Sequence, residues 1–237
     1  MSTFGELLRA MPLPGERDSY DFREVRASTR VEAKSEERAW WALSLRDEQI
    51  QALVQQLFLQ REGRQVRNAA FAPVEASTQT APMCLDIAKA LASGGKYDVG
   101  LIDAGCESAA LTQQLQIETP VYAQPIWPVS SRLWLVPRQS WRSETESQLF
   151  TDHDLERLHD FMGEFDFSIV YCAPVSWPTA RIARGCDGLV LILTANKTRR
   201  LVAARIKDQL AKAQVPLLGT VLAERRLPVP QGLYRKL

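Results

Sequence analysis

"FAPVEASTQTAPMCLDIAKALA", Phe71 to Ala92, reads as a buried strand, a short polar loop and then an amphipathic helix. A helix entered from a strand in this way offers its first backbone N–H groups to a phosphate. The loop "VEASTQT" nevertheless contains no glycine, which would let successive N–H groups curl around an anion, and no lysine to neutralise one. The layout of a phosphate site is present without its chemistry.

The alternation continues downstream. From Val66 onward short apolar runs alternate with amphipathic segments, as in a parallel sheet with helices on its faces. Strands are expected at Asn68–Ala72, Val99–Asp103, Leu133–Val136, Ser168–Cys172, Leu189–Thr194 and Leu217–Ala223. Helices are expected at about Ala81–Ser93, Asp152–Glu164, Pro178–Arg184 and Arg199–Lys212. Thr151 and Asp154 have the spacing of a capping pair, and Leu155, Leu158, Met162 and Phe165 form the stripe that helix buries. Upstream, Ile50, Leu53, Val54, Leu57 and Phe58 recur at intervals of three and four, predicting a helix packed on the domain. Residues 1–38 combine Pro12, Pro14 and Gly15 with the charge-dense "REVRASTRVEAKSEER" and read as a flexible arm. The expected architecture is a three-layer α/β/α domain over residues 39–237, with a mainly parallel sheet. Ligands of such folds bind at the carboxyl ends of the strands.

Composition narrows the function classes. Among 237 residues, 29 basic side chains face 28 acidic ones, so no global field recruits nucleic acid or anionic lipid. The longest apolar runs, such as "GLVLILTA" at Gly188–Ala195, fall short of the roughly 20 residues a membrane helix needs, so no direct membrane insertion is expected. The stretch "MSTFGELLRAMPLPGERDSYDF" lacks the layout of a secretory signal, and the expected location is cytoplasmic. Cys84, Cys106, Cys172 and Cys186 are scattered without a Cys-x-x-Cys pair and read as free, mostly buried thiols. Cys172 has no His nearby in sequence to activate it as a nucleophile. His153 and His159, six apart, do not share a helix face and are not a metal pair.

Four segments in order carry a resemblance: "ALASGGKYDVGLIDAG", "FDFSIVYCAPV", "CDGLVLILTANKTRR" and "LLGTVLAERR". From Asp47 to the C-terminus the chain resembles the bacterial tyrosine autokinases of capsule and exopolysaccharide synthesis, P-loop ATPases of the MinD/ParA class. That resemblance implies a P-loop NTPase-like fold. It also implies a site whose positions can be followed one by one. Pro73 stands at the first P-loop glycine, Thr78 at the second and Gln79 at the lysine, while Thr80 keeps the candidate magnesium-binding hydroxyl. Asp103 keeps the first carboxylate of the family's Asp-x-Asp, and Gly105 replaces the second. Cys172 replaces a later aspartate that helps to hold magnesium, and Ala223 replaces the amide side chain that reads the base. Magnesium is a hard ion that takes oxygen ligands, for which a thiol is a poor substitute. Thr80 and Asp103 are thus the residual binding positions, and no cofactor is expected; the alternative is ATP with magnesium in an atypical pose. Lys197, Arg199 and Arg200 form a basic turn at a helix start, open to an anion or a partner.

The expected function is accordingly that of an inactive, tyrosine-kinase-like protein serving as a structural or regulatory subunit in exopolysaccharide synthesis or export. The alternatives are an active ATP-dependent tyrosine kinase with an atypical loop, and a MinD/ParA-like partner protein in division, positioning or secretion. The family's ring-building Glu-x-x-Arg-x-x-Arg pattern is reduced here to Glu48, Gln51 and Val54. Its C-terminal tyrosine cluster is reduced to Tyr234. The resemblance implies a protein partner, either the cytoplasmic tail of a membrane polysaccharide chain-length protein or a competent sister subunit, holding the chain at the inner membrane. The arm and the proline-rich tail "LPVPQGLY" are the candidate tethers.

Overall fold

The computed structural model describes residues 45–59, 65–76, 80–105, 111–112, 115, 125–142 and 150–224. The expected arm lies outside the described residues. The opening stretch forms β1 (Asn68–Pro73) and α2 (Thr80–Ser93), preceded by α1 (Leu45–Leu57). β1 is buried on both faces: Ala69 and Phe71 join a cluster with Ala81, Cys84, Ile87 and Ala88 of α2, while the equally buried Ala70 and Ala72 point the other way by the alternation of a strand. Consecutive apolar positions of this kind require cover on both sides.

Around β1 the sheet is built by β2 (Val99–Ala104), β3 (Trp127–Ser130), β4 (Leu133–Val136), β5 (Phe167–Cys172), β6 (Gly188–Thr194) and β7 (Leu217–Ala223). The seven strands run in the order β3-β4-β2-β5-β1-β6-β7, parallel throughout except for β3, which lies antiparallel to β4. The predicted strands are all present, with ends within one residue of expectation. β3 was not expected: it is four residues long, contains Pro128 and shifts register between Pro128 and Ser130, so no alternation marks it.

The helices α4 (Asp152–Gly163), α5 (Trp177–Gly185) and α6 (Arg200–Lys212) match their expected positions, and the single turn α3 (Arg138–Trp141) was not foreseen. Thr151 and Asp154 make the anticipated reciprocal cap: Thr151 Oγ1 accepts from the Asp154 N–H at 3.2 Å and Asp154 Oδ2 from the Thr151 N–H at 2.8 Å. Leu158, Met162 and Phe165 are buried together with Phe161, and Leu155 is half-buried. α1 packs through Val54, and Phe58, just past its end, lies edge-on to Phe167 with ring centroids 5.6 Å apart.

At the amino ends of the strands, aspartates absorb the unpaired backbone donors. Asp187 accepts from the N–H groups of Arg67 and Asn68 at 2.8 and 2.9 Å, and Asp166 accepts from the Asp98 N–H at 2.8 Å. The carboxyl ends are where the candidate site lies. Among the described residues no helix is long and apolar enough to cross a membrane.

Candidate functional site

Adjacent strands bring the carboxyl ends of β1, β5 and β2 side by side, which gathers Pro73, Cys172 and Asp103 at one edge of the sheet. The register pairs Asp103 with Tyr171 and Ala104 with Cys172. Thr80 opens α2 from the same side, while Ala223 ends β7 beside Thr194. Thr78 and Gln79 lie outside the described residues. Lys197, Arg199 and Arg200 are exposed in the turn between β6 and α6. That turn is tightened by Asn196 in the left-handed region, at φ 60°, and by the Thr198 hydroxyl, which accepts from the Thr194 N–H at 2.9 Å.

The positions singled out from the sequence can be followed one by one. Pro73 brings no N–H, and the next donor, on Val74, is committed to the Ile192 carbonyl at 3.0 Å, so the β1–β6 ladder runs on into the loop. The Pro73 carbonyl accepts from the Val175 N–H at 3.1 Å. Thr80 is fully buried, and its hydroxyl has no hydrogen-bond partner among the described residues. Asp103 is buried as well, with Oδ1 accepting from the Gly105 N–H at 2.9 Å. Loss of solvent pushes its carboxyl up to about 6, against the partial relief that this hydrogen bond provides.

Gly105 is closely overlaid by a neighbouring side chain. A Cβ at this position would lie 2.5 Å from Cε1 of Tyr171 and 3.2 Å from Asp103 Oδ1. The ring of Tyr171 therefore fills the direction in which a second carboxylate would project. From the opposite side α3 seals the strand end: the Trp141 indole N–H donates to the Asp103 carbonyl at 3.0 Å, and the Arg138 guanidinium donates to the Gly105 carbonyl at 2.6 Å. Cys172 is buried on the other face of the sheet, its thiol 3.8 Å from the Val170 carbonyl. Burial, reinforced by Cys186, Cys84 and Asp103, raises the Cys172 thiol well above its ordinary range, which makes it inert as a nucleophile. Cys84 and Cys186 are free and buried too, and Cys106 lies outside the described residues.

Tyr171, Trp141 and Arg138 were not singled out from the sequence. Tyr171 lay within reach, since it is two residues beyond Ile169 on the strand face that carries Asp103 across the register. Trp141 and Arg138 sit on one helical turn too short to leave a periodic signal. His159 is exposed and places Nε2 2.9 Å from the Gly185 carbonyl. His153 is exposed beside Glu156 at 3.7 Å. No group of three or more His, Cys, Asp or Glu among the described residues could hold a metal ion.

No protein-family model matches the chain, and no curated protein matches it. Solved structures do. The VpsO kinase domain superposes with a TM-score of 0.56 at 14% identity, over 79% of this chain and 100% of that one. The chain has the fold of a bacterial tyrosine kinase domain. The kinase domain of the Escherichia coli tyrosine kinase ETK gives 0.55 at 14% identity, over 78% of this chain and 80% of its own. The same P-loop NTPase-like fold extends to a plasmid partition protein from Borrelia burgdorferi, at a TM-score of 0.53 and 15% identity, over 73% of this chain and 86% of that one. A kinase-domain fold raises the question of magnesium and ATP. The described residues fit them poorly: one orphaned hydroxyl on Thr80 is the only welcoming feature, set against a carboxylate tied to its own backbone, a protonated thiol and a tyrosine ring where an acid would stand.

Proposed function

We propose that this chain is a catalytically inactive relative of the bacterial tyrosine kinase domains, working as a structural or regulatory subunit in exopolysaccharide synthesis or export. The observation that carries the reading is Tyr171 standing over Gly105. The Tyr171 ring takes the space beside Gly105, and Trp141 and Arg138 hold the backbone carbonyls of Asp103 and Gly105, which supports a strand end kept for structure. Phosphoryl transfer depends on positioning and charge neutralisation, and one buried carboxylate tied to its own backbone offers little of either. What remains is a rigid domain with a basic turn, Lys197 to Arg200, on its surface. Its working contacts are then with proteins, at the inner-membrane face of a polysaccharide system: a chain-length protein's cytoplasmic tail or a competent sister subunit.

The test is a thermal melt with millimolar MgATP. A ligand at about 100 times its Kd stabilises the native state by about 2.7 kcal/mol, a shift of several degrees for a domain of this size. We expect no shift and no hydrolysis. A clear rise in Tm would return the chain to the ATP-dependent tyrosine kinases. The likeness to the partition protein supports a second reading, a partner protein in positioning or division. Co-purification from the native host, with and without residues 1–38 and 227–237, separates the two by which system comes down.

A further inference from the structure

The charge of the chain balances overall but not on α6. This helix and the turn before it carry Lys197, Arg199, Arg200, Arg205, Lys207 and Lys212 against a single acid, Asp208, and every one of these residues is exposed. Arg205 and Lys212 stand three and four residues from Asp208, within reach of a pair along the helix. Yet among the described residues none of these side chains makes an ion pair. At 3.6 residues per turn the faces of α6 separate cleanly. Leu210 is buried and Val202, Ala203 and Ile206 are half-buried, which sets the face turned to the sheet, where α6 packs on β7. Directly opposite lie Leu201, Ala204, Asp208 and Ala211, all exposed, with Leu201 at 74%.

We infer that the outward face of α6 is a docking surface for an amphipathic helix of a partner protein, one whose aliphatic stripe is flanked by acidic side chains. The spacing of the outward residues, three, four and three, is that of a heptad seam, with Leu201 and Asp208 at a and Ala204 and Ala211 at d. The cations then fall in two rows beside the seam: Arg200 and Lys207 at g along one side, Arg205 and Lys212 at e along the other. From those positions charged side chains reach across to a second helix and select it. Ala204 and Ala211 allow a close approach of the two axes, and Leu201 supplies the apolar contact. Asp208, in the middle of the seam, calls for an amide or a cation opposite it, which fixes the register of the pair.

Charge also selects against the other occupants. A second copy of α6 would bring cations against cations in either orientation, since both rows are basic. An anionic lipid surface would attract the two rows, but Asp208 is the charge pressed deepest toward its headgroups. A nucleic acid would set phosphates against Asp208 and leave Leu201 and the alanines without an apolar partner. An acidic helix answers both rows and covers Leu201. The face looks away from the sheet, so the inference does not rest on the functional reading above and holds whether or not the crevice takes a nucleotide.

Three fluorescent peptides of about three heptads each, followed by anisotropy against the full chain, test it. The first has Leu at a and d, Asn at the central a position and Glu at e and g. The second has the same residues scrambled, which keeps the charge and destroys the stripe, and the third has Lys at e and g. The first should bind at least about tenfold more tightly than the second and weaken as salt rises, while the third should not bind. Leu201→Ser should weaken the first by about fivefold or more, and Arg205→Glu combined with Lys212→Glu by about tenfold or more. These positions are exposed, so an unchanged Tm verifies that each variant is folded. No binding of the first peptide, equal binding of the first and second, or indifference to Leu201→Ser overturns the proposal. So does tighter binding of phosphatidylglycerol vesicles or duplex DNA than of the first peptide, or a dimer of the chain that Leu201→Ser disrupts.

Discussion

Asp103 is a carboxylate held among apolar neighbours, with the Gly105 N–H as its donor and its pKa raised from 3.8 to about 6. The folded chain therefore holds this proton more tightly than the unfolded one. Its contribution to stability is fully present below about pH 4 and is lost as pH rises through about 6. Two units correspond to about 3 kcal/mol. Asp103→Asn keeps an oxygen for the Gly105 N–H and removes the buried charge, so the variant should be more stable than the parent by about 2 kcal/mol at pH 7.5, with the gain largely gone at pH 4. Urea unfolding at the two pH values measures it. A variant weaker than the parent at pH 7.5 would mean that the ionised carboxylate has a stabilising partner, as a working metal site would require.

Among the elements, α1 is the first that the described residues contain. Val54 of α1 and Phe58, just past its last residue, are buried in the cluster with α2, β1 and β5. Phe58→Ala should cost about 3 kcal/mol or more in urea, because a buried ring edge-on to Phe167 leaves a cavity that the sheet cannot collapse to fill. A loss under about 1 kcal/mol would place α1 outside the cooperative unit. This helix was legible in the sequence for the same reason as the long strands: it repeats its apolar residues often enough for a period to emerge. β3 and α3, at four residues each, repeat nothing. Of the candidate site, the sequence offers single positions, and the structure places Pro73, Asp103 and Cys172 at adjacent strand ends as the predicted strands imply. The contact of Tyr171 with Gly105 was not legible, because it depends on the pairing of β5 with β2, which no local pattern reports.

For the molecule as a whole, the proposed reading predicts that replacing single letters does not supply a working nucleotide site. A chain carrying Pro73→Gly, Thr78→Gly, Gln79→Lys, Gly105→Asp and Cys172→Asp together should not hydrolyse ATP. It should also lose on the order of 5 kcal/mol, comparable to the whole stability of many domains. Cys172→Asp buries a second carboxyl where no solvent reaches, and Gly105→Asp drives a side chain into the Tyr171 ring. Thermal melts and a phosphate-release assay follow the two outcomes; a folded variant with ATP turnover would contradict the prediction. On the reading proposed above, the Tyr171 contact also works as a ratchet. A side chain arriving first at 105 meets the ring, so an acid could be accommodated there only after the ring had moved or position 171 had changed. Two coordinated steps are needed where one would otherwise do, and substitutions at 105 and 171 are thereby tied to one another.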